Sequence, residues 1–337
     1  LKENRPPSTL AISQTHINCS PSSSGQCSCN YTPSNSVCIM VDFNDYGETD
    51  SVRWSMATLA IIGCSSFLFL FIWDVPSLLE KTGNSLVHGP ADVLMAMWHI
   101  ACLLLGLRAI AFMYLMKSGH MIVRSHETKK DVLIHPLGIK KFVTFSSWTL
   151  ILNVMYFFLA TIGSFFLLAD SNLPSGLAQL LGGVFVTALG ASFLTSTVVR
   201  YVILPSNYSD EEHHKRQFWF HNQMMHNFCT VFLVIEILLT SPQLEFVYML
   251  FGILIGLTYA AFAFPFAAFG GGYYCYSFID PRLQKAPLFI TMLALAISLS
   301  YVGVWFVSEL VSFNLFLGGF ILIVWCSQIV QFKPLNA

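Results

Sequence analysis

The amino-acid sequence predicts an all-α bundle of seven or eight membrane-spanning helices. Of the 337 residues, 55% are hydrophobic, only 10% are charged, and 30 are phenylalanine. Mean hydropathy is positive, which is unusual for a soluble domain of this length. The net charge of -1 argues against a nucleic-acid partner, because such proteins carry a basic excess. The expected partners are the bilayer and a lipid.

Seven apolar runs are long enough to cross roughly 30 Å of hydrocarbon, which takes a helix of about 20 residues. Six of them predict one helix each. The last is too long for a single crossing, and its most polar point, at residues 308–314, divides it into two helices. The runs cover residues 54–73, 93–116, 142–168, 177–204, 218–239, 246–269 and 287–330.

These runs suggest three regions: a polar tail or cap at 1–52, two leading membrane helices with a basic loop at 53–141, and a helical core at 142–332. The tail holds four cysteines and two glycosylation sequons. They indicate either two disulfides in an oxidising compartment or a disordered tail with incidental cysteines. The residues concerned are Cys19, Cys27, Cys29 and Cys38, with the sequons at Asn18 and Asn30.

Lysine and arginine are concentrated in alternate loops, at residues 117–141, 215–216 and 282–285. The positive-inside rule places such loops in the cytoplasm. The sequons, including a third at Asn207, favour the opposite face. The orientation therefore stays open, although both signals put the same loops on one side of the membrane.

Two polar segments at the edges of apolar spans carry the candidate chemistry. Asn222, His226 and Thr230 recur every four residues, which predicts a single polar helix face turned into the bundle. Neutral histidine is the commonest general base, and a threonine such as Thr144 needs a base to act as a nucleophile. The structural alternatives are a histidine bonded across to a neighbouring helix and a threonine bonded to its own backbone.

Around these residues the chain resembles the androgen-induced and androgen-dependent family of multi-pass membrane hydrolases, which act on fatty acid esters of hydroxy fatty acids. The resemblance covers roughly residues 138–314. The similar segments are Lys141-Phe142-Val143-Thr144-Phe145, Asn222-Gln223-Met224-Met225-His226 with the following run to Glu236, residues 270–281, and Ser308-Glu309-Leu310.

The resemblance implies a lipid ester hydrolase with Thr144 as nucleophile and His226 as base, and it implies no metal or other cofactor. Asn222, Ser147, Glu236 and Glu309 are the expected supporting residues. The chain departs from the family at Gln223, where the family has a first histidine, and at Asn227, where it has threonine. It also departs at residues 276–281 and adds an amino-terminal region. These departures leave the substrate open.

Two other functions are compatible with the sequence. Seven histidines could gather on one face and hold iron for a lipid oxidase, although the repeated His-x-x-His-His boxes of such enzymes are absent. They are His120, His126, His135, His213, His214, His221 and His226. The second is a receptor, transporter or structural subunit without catalysis. Intramembrane charges such as Arg108 fit that function, but the sequence has no internal repeat.

Overall fold

The computed structural model describes residues 45–46, 51–87, 92–206 and 211–334. The four tail cysteines and the three sequons lie outside these ranges. In chain order the helices are α1 (Val52–Ile72), α2 (Val75–Val87), α3 (Asp92–Leu115), α4 (Phe145–Leu168), α5 (Ser175–Ile203), α6 (Glu211–Arg216), α7 (Phe220–Thr240), α8 (Phe246–Gly270), α9 (Ala286–Phe313) and α10 (Leu315–Ile329).

Within the described residues, seven helices are long and apolar enough to cross a membrane, namely α1, α3, α4, α5, α7, α8 and α9. The predicted all-α, multi-pass fold is therefore confirmed. The predicted break in the last apolar run is also correct, because α9 ends before Asn314, whose side chain caps the shorter helix α10 by accepting from Leu317 N at 3.0 Å. The backbones of α9 and α10 meet closely at Gly318 and Val311, so α10 returns antiparallel to α9.

The basic loops lie together at one end of the bundle, called here the basic end. The start of α1 is fixed there, since Ser55 Oγ donates to Pro281 O at 2.9 Å. The end of α3 is fixed there too, because Lys141 Nζ donates to Met113 O at 2.9 Å. The start of α1 and the end of α3 therefore lie at the same end of the bundle as the basic loops.

Helix α2 was not predicted, and it lies between α1 and α3, the two candidate membrane spans of segment 53–141. It is only 13 residues long and contains charged residues, so it gives no membrane-span signal. It packs closely on the start of α5: a Cβ at Gly83 would lie 1.9 Å from Ala178 O, and one at Gly182 would lie 2.5 Å from Leu79 O. Small residues permit this backbone approach.

A small antiparallel sheet covers the basic end, where the sequence indicated only a basic loop. Its strands are β1 (Met121–Ser125), β2 (Asp131–Ile134) and β3 (Tyr273–Tyr274), in the order β2-β1-β3. Met121 pairs with Ile134, and Arg124 pairs with both Asp131 and Tyr274. The sheet joins the loop after α3 to the loop after α8.

Helix α5 lies at the centre of the bundle and packs against α2, α4, α7, α8, α9 and α10. Its buried Phe185, Leu189 and Phe193 meet Tyr156 of α4 and Leu233 of α7 in the main apolar core. By contrast, α1 exposes most of its large side chains, with Phe71 87% exposed. Such a surface suits contact with lipid rather than water.

Candidate active site

Thr144 is the N-cap of α4. A 3₁₀ turn at Gly138–Val143 precedes it, and its own backbone is extended. Its Oγ1 accepts from Ser147 N at 3.2 Å and lies 2.7 Å from Ser147 Oγ. The predicted span therefore starts at Phe145 rather than 142, and Thr144 stands at the mouth of the helix. A capping threonine is favourable there in any protein, so its position alone does not indicate catalysis.

Lys141 and Ser147 hold this mouth in place. Lys141 Nζ donates to two carbonyls at the end of α3, those of Met113 and Met116, as basic groups do at helix C-termini. Burial lowers the pKa of the Lys141 ammonium below its usual value. Ser147 Oγ donates to Lys141 O at 3.2 Å and lies 3.9 Å from Met225 Sδ. Ser147 thus joins Thr144 to the α7 turn that carries His226.

That turn of α7 is a π turn, Met224–Phe228, in which Cys229 N donates to Met224 O five residues back. This turn therefore holds one residue more than an ordinary α-helical turn. Asn222 and His226 line one cavity. Thr230 does not, because its hydroxyl donates to Ser192 O of α5 at 3.0 Å and contacts Ser196 Oγ at 2.6 Å. Thr230 is fully buried against α5, so it points into the bundle but does not reach the cavity.

The cavity lies at the basic end between the sheet and the helix mouths and has a volume of about 580 Å³. This is many times the roughly 30 Å³ that one water occupies. Its lining is mixed, with polar and basic groups from five segments. They include Arg124, Lys141, Thr144, Ser147, Arg216, His221, Asn222, His226, Cys275 and Tyr276.

Two histidines in the cavity wall each have a ring nitrogen without a hydrogen-bond partner among the described residues. His221 and His226 are 6% and 7% exposed, and the Nδ1 atom of each has no hydrogen-bond partner within the described part of the chain. Buried polar atoms are normally satisfied, so two unsatisfied imidazoles beside one cavity are unusual. Thr144 makes no hydrogen bond to His226, but the two share the cavity wall.

A competing nucleophile in the wall is disfavoured. Cys275 lines the cavity, and its thiol lies 3.5 Å from Val143 O. Burial raises the pKa of the Cys275 thiol to about 12. The group is therefore protonated at neutral pH, whereas the thiolate is the nucleophilic form of cysteine.

The two glutamates expected at the site lie elsewhere. Glu309 is exposed on α9, and it does not line the cavity. Glu236 is fully buried and forms an enclosed cluster with three residues of α3 and α4: its carboxylate accepts from Trp98 Nε1 at 2.8 Å and lies 2.9 Å from His99 Nε2, while His99 Nδ1 lies 2.8 Å from Ser164 Oγ. The sequence alone does not reveal that Glu236 pairs with His99, because the two residues are 137 positions apart.

Gln223 and Asn227, where the chain departs from the family, form hydrogen bonds that the sequence did not indicate, with each other and with Gln331. Asn227 Nδ2 donates to Gln223 Oε1 and to Gln331 O, each at 2.7 Å, and Gln331 N donates to Asn227 Oδ1 at 3.1 Å. Arg200 also bonds the Gln331 side chain. These contacts fix the chain after α10 onto the π turn.

Three of the seven histidines predicted to gather, His120, His221 and His226, line the cavity. His135 packs on His120 with ring centroids 6.0 Å apart, whereas His126 packs on Tyr274. Among the described residues, no three or more His, Cys, Asp or Glu side chains are placed to share a metal ion. The iron-oxidase alternative thus lacks a ligand set in this part of the chain.

No family model, no curated protein and no solved structure matches this chain. The family membership that the sequence motifs suggest is therefore untested. The case for a function depends on the geometry of the cavity and on the chemistry of its lining residues.

Proposed function

We propose that this membrane protein hydrolyses lipid esters, with Thr144 as the nucleophile and His226 as the general base. The observation that carries the proposal is that both side chains line one cavity of about 580 Å³, with the His226 Nδ1 atom unpartnered. A hydroxyl needs an adjacent base to become a nucleophile, and neutral imidazole is suited to that role.

In the proposed reaction, His226 takes the Thr144 proton directly or through a bound water. The Thr144 oxygen bonds to the ester carbonyl carbon, the bond to the alcohol breaks, and His226 returns the proton to the departing alcohol. Water then attacks the acyl-threonine, again giving a proton to His226. The acid leaves as Thr144 regains its proton, so the protein is restored.

The groups around Thr144 suit this chemistry. Ser147 Oγ lies 2.7 Å from Thr144 Oγ1 and orients the hydroxyl. Asn222 Nδ2 donates to Arg216 O at 2.7 Å, and because an amide nitrogen carries two protons, one N–H is left for a developing oxyanion in the same cavity. Donors aimed at that charge are commonly the largest catalytic contribution.

The main difficulty for a test is that Thr144 also caps α4, so Thr144→Ala removes two functions at once. Asparagine is an excellent N-cap but has no hydroxyl. Thr144→Asn should therefore fold normally and lose hydrolysis, whereas Thr144→Ser should keep both. Thr161→Ala is the matched control, because Thr161 Oγ1 of the same helix donates only to Phe157 O at 2.7 Å.

The experiment measures fluorophosphonate labelling and hydrolysis of a fatty acid ester series in membranes that contain each variant at equal amounts. We expect wild type, Thr144→Ser and Thr161→Ala to react, and Thr144→Asn and His226→Gln to lose about 100-fold or more. Labelling of Thr144→Asn at the wild-type level would refute the nucleophile. A wild-type protein that neither labels nor hydrolyses would favour a non-catalytic membrane role.

A further inference from the structure

A second, smaller pocket lies beside the cavity, between α1, α5, α8 and α9. Its volume is about 120 Å³. Apolar side chains form nearly all of its wall, including Leu59, Leu194, Leu257 and Ile297. The described residues that line it include no charged side chain. Such a wall favours hydrocarbon and gives a charged or strongly polar group no partner.

The pocket and the cavity share part of their walls. Four residues line both: Ser146, Ile203, Tyr276 and Phe278. Ser146 follows Thr144 by two positions, at the start of α4. The pocket and the cavity are therefore neighbours at the start of α4, and only the side chains of shared lining residues need to leave a passage for a ligand to occupy both.

The pocket also reaches well into the bundle. Leu59 and Ile62 lie seven and ten residues beyond the start of α1 at the basic end. At a rise of 1.5 Å per residue, they are about 10 and 15 Å deep. This is the depth at which lipid acyl chains lie, since the hydrocarbon core is about 30 Å thick.

We propose that this pocket is the acyl-chain subsite of the enzyme, and that it selects substrates by the length of the acyl chain on the ester carbonyl. The inference rests on the proposed function. The volume is too small for a helix of a partner protein, which is about 10 Å across, and a lipid headgroup would find no charged partner. A fatty acid ester matches both linings, because its acyl chain suits the apolar pocket and its ester group suits the polar cavity.

Gly256 of α8 offers a direct way to alter the pocket. It lines the pocket, and a Cβ added there would meet no atom within 4 Å. A leucine at this position therefore fills pocket space rather than pushing α8 from its neighbours. Gly252, one turn earlier, is unsuitable, since its added Cβ would lie 2.9 Å from Ile297 Cγ1.

The first experiment compares wild type with Gly256→Leu on p-nitrophenyl esters of straight-chain acids from butyrate to palmitate. We expect kcat/KM for the longest chains to fall about tenfold or more while that for butyrate is unchanged, since one or two methylenes in a fixed pocket have effects of this size. Gly176→Leu is the matched control, because its added Cβ also meets no atom within 4 Å and the residue is exposed at the start of α5. An unchanged chain-length profile in Gly256→Leu would overturn the subsite.

A binding measurement separates this inference from the proposed function. Purified Thr144→Asn and Gly256→Leu proteins are irradiated with a palmitic acid that carries a diazirine on its chain, and the labelled peptides are mapped. We expect labelling around Leu59 and Leu257 in Thr144→Asn and its loss in Gly256→Leu. Mapped labelling without any wild-type hydrolysis would refute the catalytic proposal alone. Hydrolysis with labelling elsewhere would refute the subsite alone.

Discussion

The bundle contains two polar clusters built from the same kinds of residue, and they differ in how their hydrogen bonds are satisfied. In the enclosed cluster, both ring nitrogens of His99 have partners, Ser164 and Glu236, and both side chains of the His99–Glu236 pair are 0% exposed. In the cavity cluster, His221 and His226 have unpartnered Nδ1 atoms beside about 580 Å³ of space.

The difference teaches which polar groups in a membrane protein are available for chemistry. The enclosed cluster has the serine, histidine and carboxylate of a hydrolase triad at hydrogen-bond distances, but no cavity described here reaches it. The cavity cluster has poorer internal bonding and open space. Hydrogen bonds among its members stabilise the first cluster, whereas side chains of the second line open space.

The largest expected effect comes from breaking the enclosed cluster. His99→Leu leaves the buried Glu236 carboxylate with Trp98 as its remaining partner among the bonds described, and removal of one member of a buried pair costs about 3–5 kcal/mol. His226→Leu should change the free energy of unfolding by less than about 1 kcal/mol, because no hydrogen bond of its imidazole is lost. Thermal unfolding of detergent-solubilised protein, followed by size-exclusion fluorescence, measures both.

A double variant sharpens this prediction. His99→Leu/Glu236→Leu removes both ionisable groups, so it should be more stable than His99→Leu alone. Equal losses in the His99 and His226 single variants would show that hydrogen-bond satisfaction does not distinguish the two clusters.

A smaller effect is expected at Asn227, which follows His226 in the same π turn. Unlike His226, it bonds Gln223 and both backbone groups of Gln331. Asn227→Ala should cost about 1–3 kcal/mol, the usual penalty for leaving buried partners unsatisfied. It should also increase proteolysis after α10, measured as the rate of cleavage near Gln331. A stable, resistant Asn227→Ala would mean that these contacts do not fix the segment.

The smallest effect concerns the N-cap of α4. Thr144→Ala should lower the free energy of unfolding by about 1 kcal/mol, and Thr144→Asn should restore it, because only the second accepts the bond from Ser147 N. Chemical denaturation in mild detergent gives the comparison. If alanine and asparagine are equally stable, the cap contributes nothing, and Thr144→Ala becomes a clean probe of the nucleophile.

The spans could be predicted because the required length of apolar sequence is a local property. Helix α2 could not, because its 13 residues are stabilised by packing on α5 rather than by hydrocarbon. The sheet at the basic end was missed for a similar reason: its strands have two to five residues and depend on pairing between distant loops.

The site was predictable in part. Thr144, Ser147, Asn222 and His226 line one cavity, and their chemical roles stay predictions. Glu236 was misplaced because a buried carboxylate takes whichever partner the fold brings near, here His99 of α3. The bond of Thr230 to Ser192 O could not be predicted from a four-residue spacing, because it depends on how α7 packs against α5.

The contacts at Gly83 and Gly182 fix α2 to the start of α5, the end of this helix that lies away from the cavity. Even a methyl group at Gly83 would overlap the Ala178 carbonyl. This close contact lets α2 fix the position and rotation of α5 at its start. At its other end, α5 holds the His226 carbonyl through Ser196 and the Thr230 hydroxyl through Ser192. The backbone of the π turn that carries His226 is thereby tied to a helix whose other end, about 25 Å away along its axis, is positioned by α2.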